Sequence, residues 1–436
     1  MNPLHIIEAK RDSKEHTYVE LRAIAEGAAH GTIPDYQLAA WLMAAYLRGL
    51  SARETAGLTR ALAESGETLD LAGLRPPWID KHSTGGVGDK TTLVAVPMMA
   101  ACGATCVKMS GRGLGITGGT VDKLSSIPGF RLDLSTDELL SVGKRIGMAL
   151  TAQTKRLAPA DGVLYALRDV TGTVSSPPLI AASVMSKKLA AGSETIVIDL
   201  KCGSGAFMKT VEEAETLGRL LVSAASLTGL RARVLMTDMN EPLGHAVGNA
   251  LEVLEAVQCL KGGGEPRFME LCARLVAEGL VASKSMTSLE TALERARHSI
   301  SSGQALTTFT EWIVAQGGDP AFVEEPARLP QSPVIRDVVY DGPVAFLSEM
   351  DAEDIGKAVV EMGGGRREKG DEVDLSVGFS HLAKVGQRLA PGELLGRVHA
   401  RSESDAALGE NAIRQAIRCS TTAVSPPPIV IRTFGG

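Results

Sequence analysis

Two glycine-rich segments, residues 80–92 and 108–120, restrict what this chain can fold into. The first leads from a predicted strand into a predicted helix, and the second follows a short apolar run at 104–108. Glycine is abundant overall, with 47 among 436 residues against a usual share of ~7%. Glycines concentrated in strand-to-helix turns favour an α/β domain built from βαβ units in this part of the chain.

The pattern changes twice along the chain, which predicts three domains. Residues 1–70 carry apolar positions at helical spacing, and the small-residue helical stretch at about 160–190 is expected to rejoin them. The glycine-rich α/β domain, with a mixed or parallel sheet, takes up 71–159 and 191–330. Residues 331–436 alternate short strands with Gly-Pro turns and predict a small C-terminal α+β domain.

The coarse element prediction follows the same periodicities. We expect helices and strands at these places: helices 17–31, 91–101, 136–147, 211–228 and 248–260, a helix opened by the capping box Ser51 and Glu54, central strands 104–108, 195–200 and 231–236, and C-terminal strands 334–340, 373–378 and 396–400.

Composition excludes several classes of function. The net charge is −6 and aromatic residues make up only 4%, so neither a basic surface nor stacking platforms for nucleic acid are expected. The most apolar stretch, 93–107, is broken by Pro97 and Gly103 and is too short to span a bilayer. No signal peptide is visible, and the six cysteines show no CxxC pair. We therefore expect a cytoplasmic protein with free thiols and no protein metal site.

The first glycine-rich segment has the composition of an anion site. Lysine, serine and threonine stand among glycines before a predicted helix, where free backbone amides can hold phosphate. It is not a Walker A loop, because Asp89 separates Gly88 from Lys90. A tight strand-to-helix turn explains the glycines equally well.

The second segment shifts this balance towards an anion site. Between Lys81 and Lys123 there are five basic and two acidic residues, a local charge of +3 within a negative chain. The same stretch holds nine glycines, which a merely solvated basic face would not need. Two such segments could converge on one anion.

A third cluster consists of Arg168, Ser183 and Lys187. If the chain is helical there, Ser183 and Lys187 lie on one face at i,i+4 spacing. Together the three side chains could hydrogen-bond a flat, oxygen-rich ring, although basic residues on a helix surface are the plainer explanation.

Four motifs, KHSTGGVGDKTTL, KMSGRGLGITGGTVDKL, YALRDVTGTV and SVMSKKLAAG, make this chain resemble the thymidine/pyrimidine-nucleoside phosphorylases. The likeness extends over essentially the whole chain. It implies reversible phosphorolysis of a pyrimidine (2′-deoxy)ribonucleoside to the free base and α-D-(deoxy)ribose 1-phosphate. It also implies a homodimer formed through the helical domain, with inorganic phosphate as co-substrate and no organic cofactor.

The resemblance assigns roles to individual residues. Phosphate would be held by Lys81, Ser83, Thr92, Lys108, Ser110 and Thr120, with the backbone at Met109. Catalysis would rest on His82 near the base O2 and on Arg168, Ser183 and Lys187 at the pyrimidine edge. The ring and sugar pocket would be lined by Tyr165, Leu114, Ile180 and Phe207.

Three positions depart from the family pattern, one of them Ser125, which stands where glutamate is usual and has no consequence that follows from the residues. Ile116 replaces a histidine thought to latch the closed state, so closure could be weaker or could rely on packing. Some relatives bind a monovalent cation at positions matching Gly88, Leu243, Ala246 and Glu255, but a usual threonine is here Lys90. We expect the Lys90 ammonium to replace potassium and pair with Glu255, against the alternative of an exposed lysine beside an intact potassium site.

Three other functions compete with this prediction. A thymidine-restricted phosphorylase is the nearest, because no residue type here decides how a 2′-hydroxyl is accommodated. An anthranilate-type phosphoribosyltransferase shares a glycine-rich anion loop but needs Mg²⁺-pyrophosphate handling. A non-catalytic phosphate sensor is disfavoured by the joint presence of His82, Arg168, Ser183 and Lys187.

Overall fold

The computed structural model describes residues 1–113, 115–116, 118–154, 156–368 and 370–435. Its N-terminal domain begins with four helices: α1 (Pro3–Arg11), α2 (Tyr18–His30), α3 (Asp35–Arg48) and α4 (Ala52–Ala63). Reciprocal capping boxes open α2 at Thr17 and α4 at Ser51, as the sequence predicts for α4. Gly31, with a φ of 66°, ends α2 in the left-handed conformation.

Two later helices, α8 (Pro159–Thr171) and α9 (Pro177–Ala190), pack against these four. Their apolar residues Ala160, Leu164, Leu179 and Ala182 share one buried core with the N-terminal helices. Residues 160–190 thus lie with the N-terminal helices in space.

The α/β domain is built on a sheet of order β1-β4-β5-β12, in which β1 (Ile79–Ser83), β4 (Thr195–Cys202) and β5 (Arg231–Asp238) are parallel. A parallel pair, β2 (Cys106–Ser110) and β3 (Met148–Ala152), continues beside β1 through a bridge between Trp78 and Thr105. The surrounding helices are α5 (Thr91–Ala101), α6 (Thr120–Leu124), α7 (Thr136–Ile146), α10 (Val211–Leu227), α11 (Asn249–Leu260), α12 (Pro266–Ala282), α13 (Leu289–Ser301) and α14 (Gln304–Ala315).

Most central elements match the sequence prediction closely. Helix α5 has the predicted bounds, whereas β2 is shifted by two residues from the predicted 104–108, because its pairing with β3 begins at Cys106. No described helix is long and apolar enough to cross a membrane.

The C-terminal region forms two three-stranded antiparallel sheets, of order β6-β10-β8 and β11-β7-β9. Its elements are β6 (Val334–Val339), β7 (Ala345–Met350), α15 (Ala352–Glu361), β8 (Gly378–Ser380), β9 (Arg388–Leu389), β10 (Leu394–Ala400), α16 (Glu403–Ala416) and β11 (Ile417–Ser420). The predicted strand at 373–378 was wrong. The Asp374 carboxylate accepts hydrogen bonds from the amide and hydroxyl of Ser376, which turns the backbone until β8 begins at Gly378.

The last strand, β12 (Val430–Phe434), leaves the C-terminal region and pairs antiparallel with β5. The predicted boundary placed all of residues 331–436 in one C-terminal domain. In the structure, β12 instead belongs to the sheet of the α/β domain. Without β12, strand β5 would expose a row of unpaired backbone groups at the sheet edge. Arg432 pairs with Glu215 and Phe434 lies against Gly218, so α10 holds the strand in place.

Candidate active site

Strand β1 presents two different chemical faces, because successive side chains of a strand point to opposite sides. Lys81 and Ser83 share one face with Asp199 of β4, next to the start of α5. Asp80 and His82 point the other way, and Asp80 pairs with Lys188 of α9 at 2.8 Å. One short strand thus places charged or hydrogen-bonding side chains on both of its faces.

The first glycine-rich segment turns tightly after β1. Gly88 has a φ of 77°, and a Cβ there would lie 2.7 Å from the Leu243 carbonyl oxygen, so only glycine fits. Asp89 accepts the Ser83 hydroxyl on one carboxylate oxygen, and the Thr91 amide (3.1 Å) and hydroxyl (2.6 Å) on the other. Its carboxylate therefore organises the hydroxyls of this segment.

The Asp89 carboxylate is held in its charged form. Burial raises its pKa, but the positive charges of Lys81, Lys201 and Lys123 and the Ser83 hydrogen bond outweigh burial and leave the pKa well below its usual range. A fixed negative charge beside Lys81 is the result.

Lys81 is fully buried on this face. Its Nζ donates to the Thr91 hydroxyl and to the Thr92 hydroxyl at 3.3 Å, so the ammonium sits at the beginning of α5. Burial lowers the pKa of Lys81, and the Asp89 and Asp199 carboxylates counter that effect.

The second segment brings Lys108, Met109 and Ser110 to the end of β2, all buried. The Lys108 ammonium lies 3.4 Å from the Ser110 hydroxyl. Thr120 is the first residue of α6 and is partly exposed. Leu114, expected to line the base pocket, lies outside the described residues.

Lys123 joins the two glycine-rich segments, a role that the sequence did not reveal. Its Nζ donates to the Asp89 carbonyl of the first segment at 2.6 Å and to the Gly118 carbonyl of the second at 3.1 Å. A pair with the buried Glu252 at 2.8 Å balances its charge. The predicted convergence of the two segments is therefore seen in the structure.

The third cluster lies between α8 and α9. Lys187 Nζ lies 3.3 Å from the Ser183 hydroxyl, which confirms that the two side chains share a helix face. It also pairs with Asp161 at 2.8 Å and lies 5.8 Å from the centre of the Tyr165 ring. Asp161 was missed by sequence reasoning, although its spacing to Tyr165 and Arg168 along α8 was a usable signal.

Arg168 has a structural task as well. Its guanidinium donates to the carbonyls of Thr173 (3.3 Å), Val174 (2.6 Å) and Leu179 (3.2 Å), which close the turn between α8 and α9. The side chain is buried, and burial lowers its pKa. Removing Arg168 would therefore disturb this turn, so Lys187 is the better residue for testing charge alone.

His82 lies between the glycine-rich segments and α9. Burial lowers its pKa well below the usual value, and the positive charges of Lys188, Lys108, Lys81 and Lys187 lower it further. The imidazole is therefore neutral in the unliganded protein and can donate one N–H hydrogen bond.

Two apolar side chains expected in the base pocket flank this region. Ile180 lies one turn before Ser183 on α9 and is partly buried. Phe207 is 48% exposed on the loop that follows β4, which is held to the first glycine-rich segment by the hydrogen bond from the Val87 amide to the Gly205 carbonyl. Tyr165 is 36% exposed.

Two of the positions that depart from the family pattern, Lys90 and Ile116, are well packed. Lys90 Nζ pairs with Glu255 at 2.7 Å, donates to the Leu243 carbonyl at 2.5 Å and lies over the Phe268 ring. Burial lowers its pKa, but Glu255 and Glu252 raise it more, so the net shift is upward. Ile116 packs against Gly356 of α15 in the C-terminal region.

Comparisons with known families divide the chain much as the structure does. Residues 4–66 match the glycosyl transferase family helical bundle domain, and residues 75–306 match the glycosyl transferase family a/b domain. Residues 346–420 match the pyrimidine nucleoside phosphorylase C-terminal domain.

Curated relatives are similar along nearly their whole length. The pyrimidine-nucleoside phosphorylase of Geobacillus stearothermophilus is 43% identical over 432 residues, 99% of both chains. That of Bacillus subtilis is 45% identical over 404 residues, 93% of both chains. Among solved structures, anthranilate phosphoribosyltransferase from Thermus thermophilus matches with a TM-score of 0.60 at 18% identity, over 71% of this chain and 99% of that one. At that identity the likeness concerns the fold alone.

Proposed function

Because this chain belongs to the pyrimidine-nucleoside phosphorylase family, we propose here how its own residues carry out the reaction of that family. The protein is a pentosyltransferase that catalyses the reversible phosphorolysis of pyrimidine nucleosides. The products are the free base and an α-D-(deoxy)ribose 1-phosphate. The observation that carries the assignment of residues is the contact between the two glycine-rich segments, which Lys123 ties together through the Asp89 and Gly118 carbonyls.

Phosphate binds in the corner formed by the two glycine-rich segments. Its ligands are the side chains of Lys81, Ser83, Thr92, Lys108, Ser110 and Thr120, with the backbone at Met109. Support comes from the Lys123 ammonium, which links both segments, and from the buried lysines that make the corner positive. In the free protein, the single hydroxyl proton of Ser83 is used in a hydrogen bond to Asp89. The hydroxyl group must therefore rotate before it can donate a hydrogen bond to phosphate.

The pyrimidine binds between α8, α9 and the loop after β4. Lys187, Ser183 and Arg168 face its carbonyl and ring-nitrogen edge, and Tyr165, Ile180 and Phe207 line the ring and sugar pocket. Phosphate attacks C1′ from the face opposite the base while negative charge grows on the departing pyrimidine. The Lys187 and Arg168 cations stabilise that charge, and no covalent intermediate is required.

His82 contributes a hydrogen bond to the base O2. Burial, together with the positive charges of the surrounding lysines, lowers the pKa of the imidazole and favours its neutral form. Its neutral N–H still stabilises the negative charge that develops on the base.

The reaction itself is tested by its dependence on phosphate. With uridine, thymidine or deoxyuridine as substrate, release of base must require inorganic phosphate and must form one sugar 1-phosphate per base. Equal release with and without phosphate would contradict the assignment. We propose that both ribo- and deoxyribonucleosides are used, and side-by-side rates on the three substrates distinguish this from a thymidine-restricted enzyme.

The titration of Lys108 predicts how phosphate binding depends on pH. Burial lowers the pKa of Lys108 to about 8, and the charge of Lys188 contributes. Because this value lies below the ordinary 10.5, the ammonium is lost as the pH rises through about 8. Between pH about 8 and 10.5, Lys108 binds fewer protons in the folded protein than in the unfolded chain. Its contribution to the free energy of unfolding therefore increases as the pH rises through this range.

We therefore expect the KM for phosphate to rise above pH 8 in the natural enzyme. In Lys108→Arg the rise should disappear, because arginine keeps its proton. Initial rates at varied phosphate, from neutral pH upward, measure the effect, and the KM for nucleoside serves as the control. An identical pH profile in both proteins would remove Lys108 from the phosphate site.

Lys90 replaces a monovalent cation in this proposal. Its ammonium contacts Glu255 and the Leu243 carbonyl, two of the positions that match the cation site of some relatives. We expect the same kcat in potassium, sodium or tetramethylammonium salts at equal ionic strength. The Lys90→Thr variant, which reopens the space, should become active only with potassium, and strong potassium dependence of the natural enzyme would refute the proposal.

We also propose that the protein is a cytoplasmic homodimer joined through its helical domain. Helix α3 leaves Tyr36, Met43 and Leu47 exposed along one stripe, at 75%, 37% and 70%. Such a stripe would be covered by the same helix of a second copy. Light scattering on the purified protein should give twice the mass of 45.7 kDa. The buried free cysteines fit a reducing compartment.

A further inference from the structure

The loop between β2 and α6, residues 111–119, carries Ser110 and Thr120 at its two ends. Two described residues near its ends approach each other so closely that a Cβ at Gly119 would lie 2.1 Å from the Gly113 amide nitrogen. Backbone packed at this distance cannot shift at one end without moving the other. The positions of Ser110 and Thr120, the two proposed phosphate ligands, therefore depend on how the loop is anchored.

The anchor is the carboxylate of Asp122, in the first turn of α6. One of its oxygens accepts the Gly113 amide at 2.6 Å, which fastens the start of the loop to the helix that ends it. The side chain is only 5% exposed, so its orientation is fixed by its partners.

The partner of Asp122 comes from the C-terminal region, 244 residues further along the chain. Arg366 donates to both Asp122 oxygens, at 3.0 and 2.8 Å, in a bidentate pair. Such pairs fix geometry as well as charge. Arg112 also approaches Asp122, but at 3.6 Å and with 66% of its side chain exposed, so it is the weaker partner.

The surroundings of Arg366 make this contact stiff. The Asn249 side chain of α11 donates to the Gly364 carbonyl at 3.1 Å and holds the loop that carries Arg366. Gly113, Gly365 and Arg366 line a cavity of about 20 Å³, which has room for one or two water molecules. The two parallel hydrogen bonds of the Arg366–Asp122 pair couple the positions of the two segments across it.

We propose that Arg366 is a positioning residue for phosphate, acting through Asp122 on the loop that carries Ser110 and Thr120. The C-terminal domain is then part of the phosphate-binding device, although it supplies no group that touches phosphate. This inference rests on the proposed phosphate site and adds to it a residue far away in the sequence.

The test compares Arg366→Gln with Arg367→Gln. Arg367 is the exposed neighbour, and among the described residues its side chain hydrogen-bonds the Glu361 carbonyl alone, at 3.3 Å. We expect Arg366→Gln to raise the KM for phosphate by about 10- to 100-fold. The KM for nucleoside should stay within about twofold, and Arg367→Gln should behave as the natural enzyme does. The stabilisation of the protein by inorganic phosphate in a thermal melt should fall in parallel.

Two further variants keep the inference open to refutation if Arg366→Gln does not fold. Arg366→Lys keeps the charge but loses the bidentate geometry, so it should raise the KM for phosphate by less. Asp122→Asn should raise it too, and combining it with Arg366→Gln should add little, because both act through one contact. An equal rise in the KM for phosphate and in the KM for nucleoside would mean that Arg366 has a merely structural role, and it would overturn the proposal.

Ser110→Ala, measured alongside, separates this inference from the site on which it rests. If Ser110→Ala raises the KM for phosphate and the Arg366 variants do not, the positioning role is refuted and the phosphate site stands. If neither Ser110→Ala nor the Arg366 variants change the KM for phosphate, the proposed phosphate site and the positioning role of Arg366 are both refuted.

Discussion

Replacing Lys187 with methionine should lower kcat for phosphorolysis by on the order of 10²- to 10³-fold. The ammonium lies on α9 beside Ser183 and over the Tyr165 ring, which is where the proposed mechanism places the negative charge of the departing pyrimidine. Methionine keeps the length and apolar contacts of the stem and removes only the charge and its donors. Single-turnover rates with saturating phosphate and nucleoside measure the chemical step directly.

Loss of Lys187 also leaves Asp161 without its partner, and this effect must be separated from catalysis. Asp161 is 3% exposed and pairs with Lys187 at 2.8 Å, so an orphaned carboxylate there costs about 1–3 kcal/mol of stability. The double variant Lys187→Met with Asp161→Asn removes the orphaned charge. It should regain much of the melting temperature and none of the activity.

Two results would speak against this role of Lys187. Recovery of activity in the double variant would mean that the single change acted through folding. A natural kcat in Lys187→Met would remove the residue from the catalytic set. Lys144→Met, an exposed lysine on α7, is the matched control for the substitution itself and should change neither quantity.

Replacing Lys81 with methionine should lower kcat/KM for phosphate by about 10²- to 10³-fold, with the KM for nucleoside changed only a few-fold. Lys81 is fully buried and directs its ammonium to the hydroxyls that open α5. The proposed anion would meet that charge away from water, where the interaction is strong. Initial rates at varied phosphate, with nucleoside saturating, measure the effect.

Lys201→Met is the matched control for removing a buried charge on this face. Lys201 is equally buried and lies 2.7 Å from Asp199, which also faces Lys81. Its loss should lower the melting temperature but change the KM for phosphate less than the loss of Lys81 does. Retention of natural phosphate kinetics in Lys81→Met would show that the anion is held elsewhere.

The candidate site could be found from the sequence because its chemistry is local. Glycines, lysines and hydroxyl residues stand next to one another in 80–92 and 108–120, and a turn between a strand and a helix has few solutions for such residues. The i,i+4 pair of Ser183 and Lys187 is equally local, since helix geometry alone places both on one face.

Contacts between distant segments were decided by the tertiary structure. Asp161 meets Lys187 because α8 and α9 pack side by side, and Lys123 meets Asp89 because α6 returns to the first glycine-rich turn. The pairing of Asp122 with Arg366 and the return of β12 to β5 depend on how whole domains dock. No periodicity in the sequence indicates which of these distant residues come into contact.

The sequence by itself determined the residue types, the order of the strand-to-helix turns and the family to which they point. The tertiary structure decided the electrostatics: which charges are buried, which are paired, and that burial and four nearby lysines lower the pKa of His82. The physical reason is that a pKa depends on burial and on charges a few ångströms away, and these distances exist only once remote parts of the chain have come together.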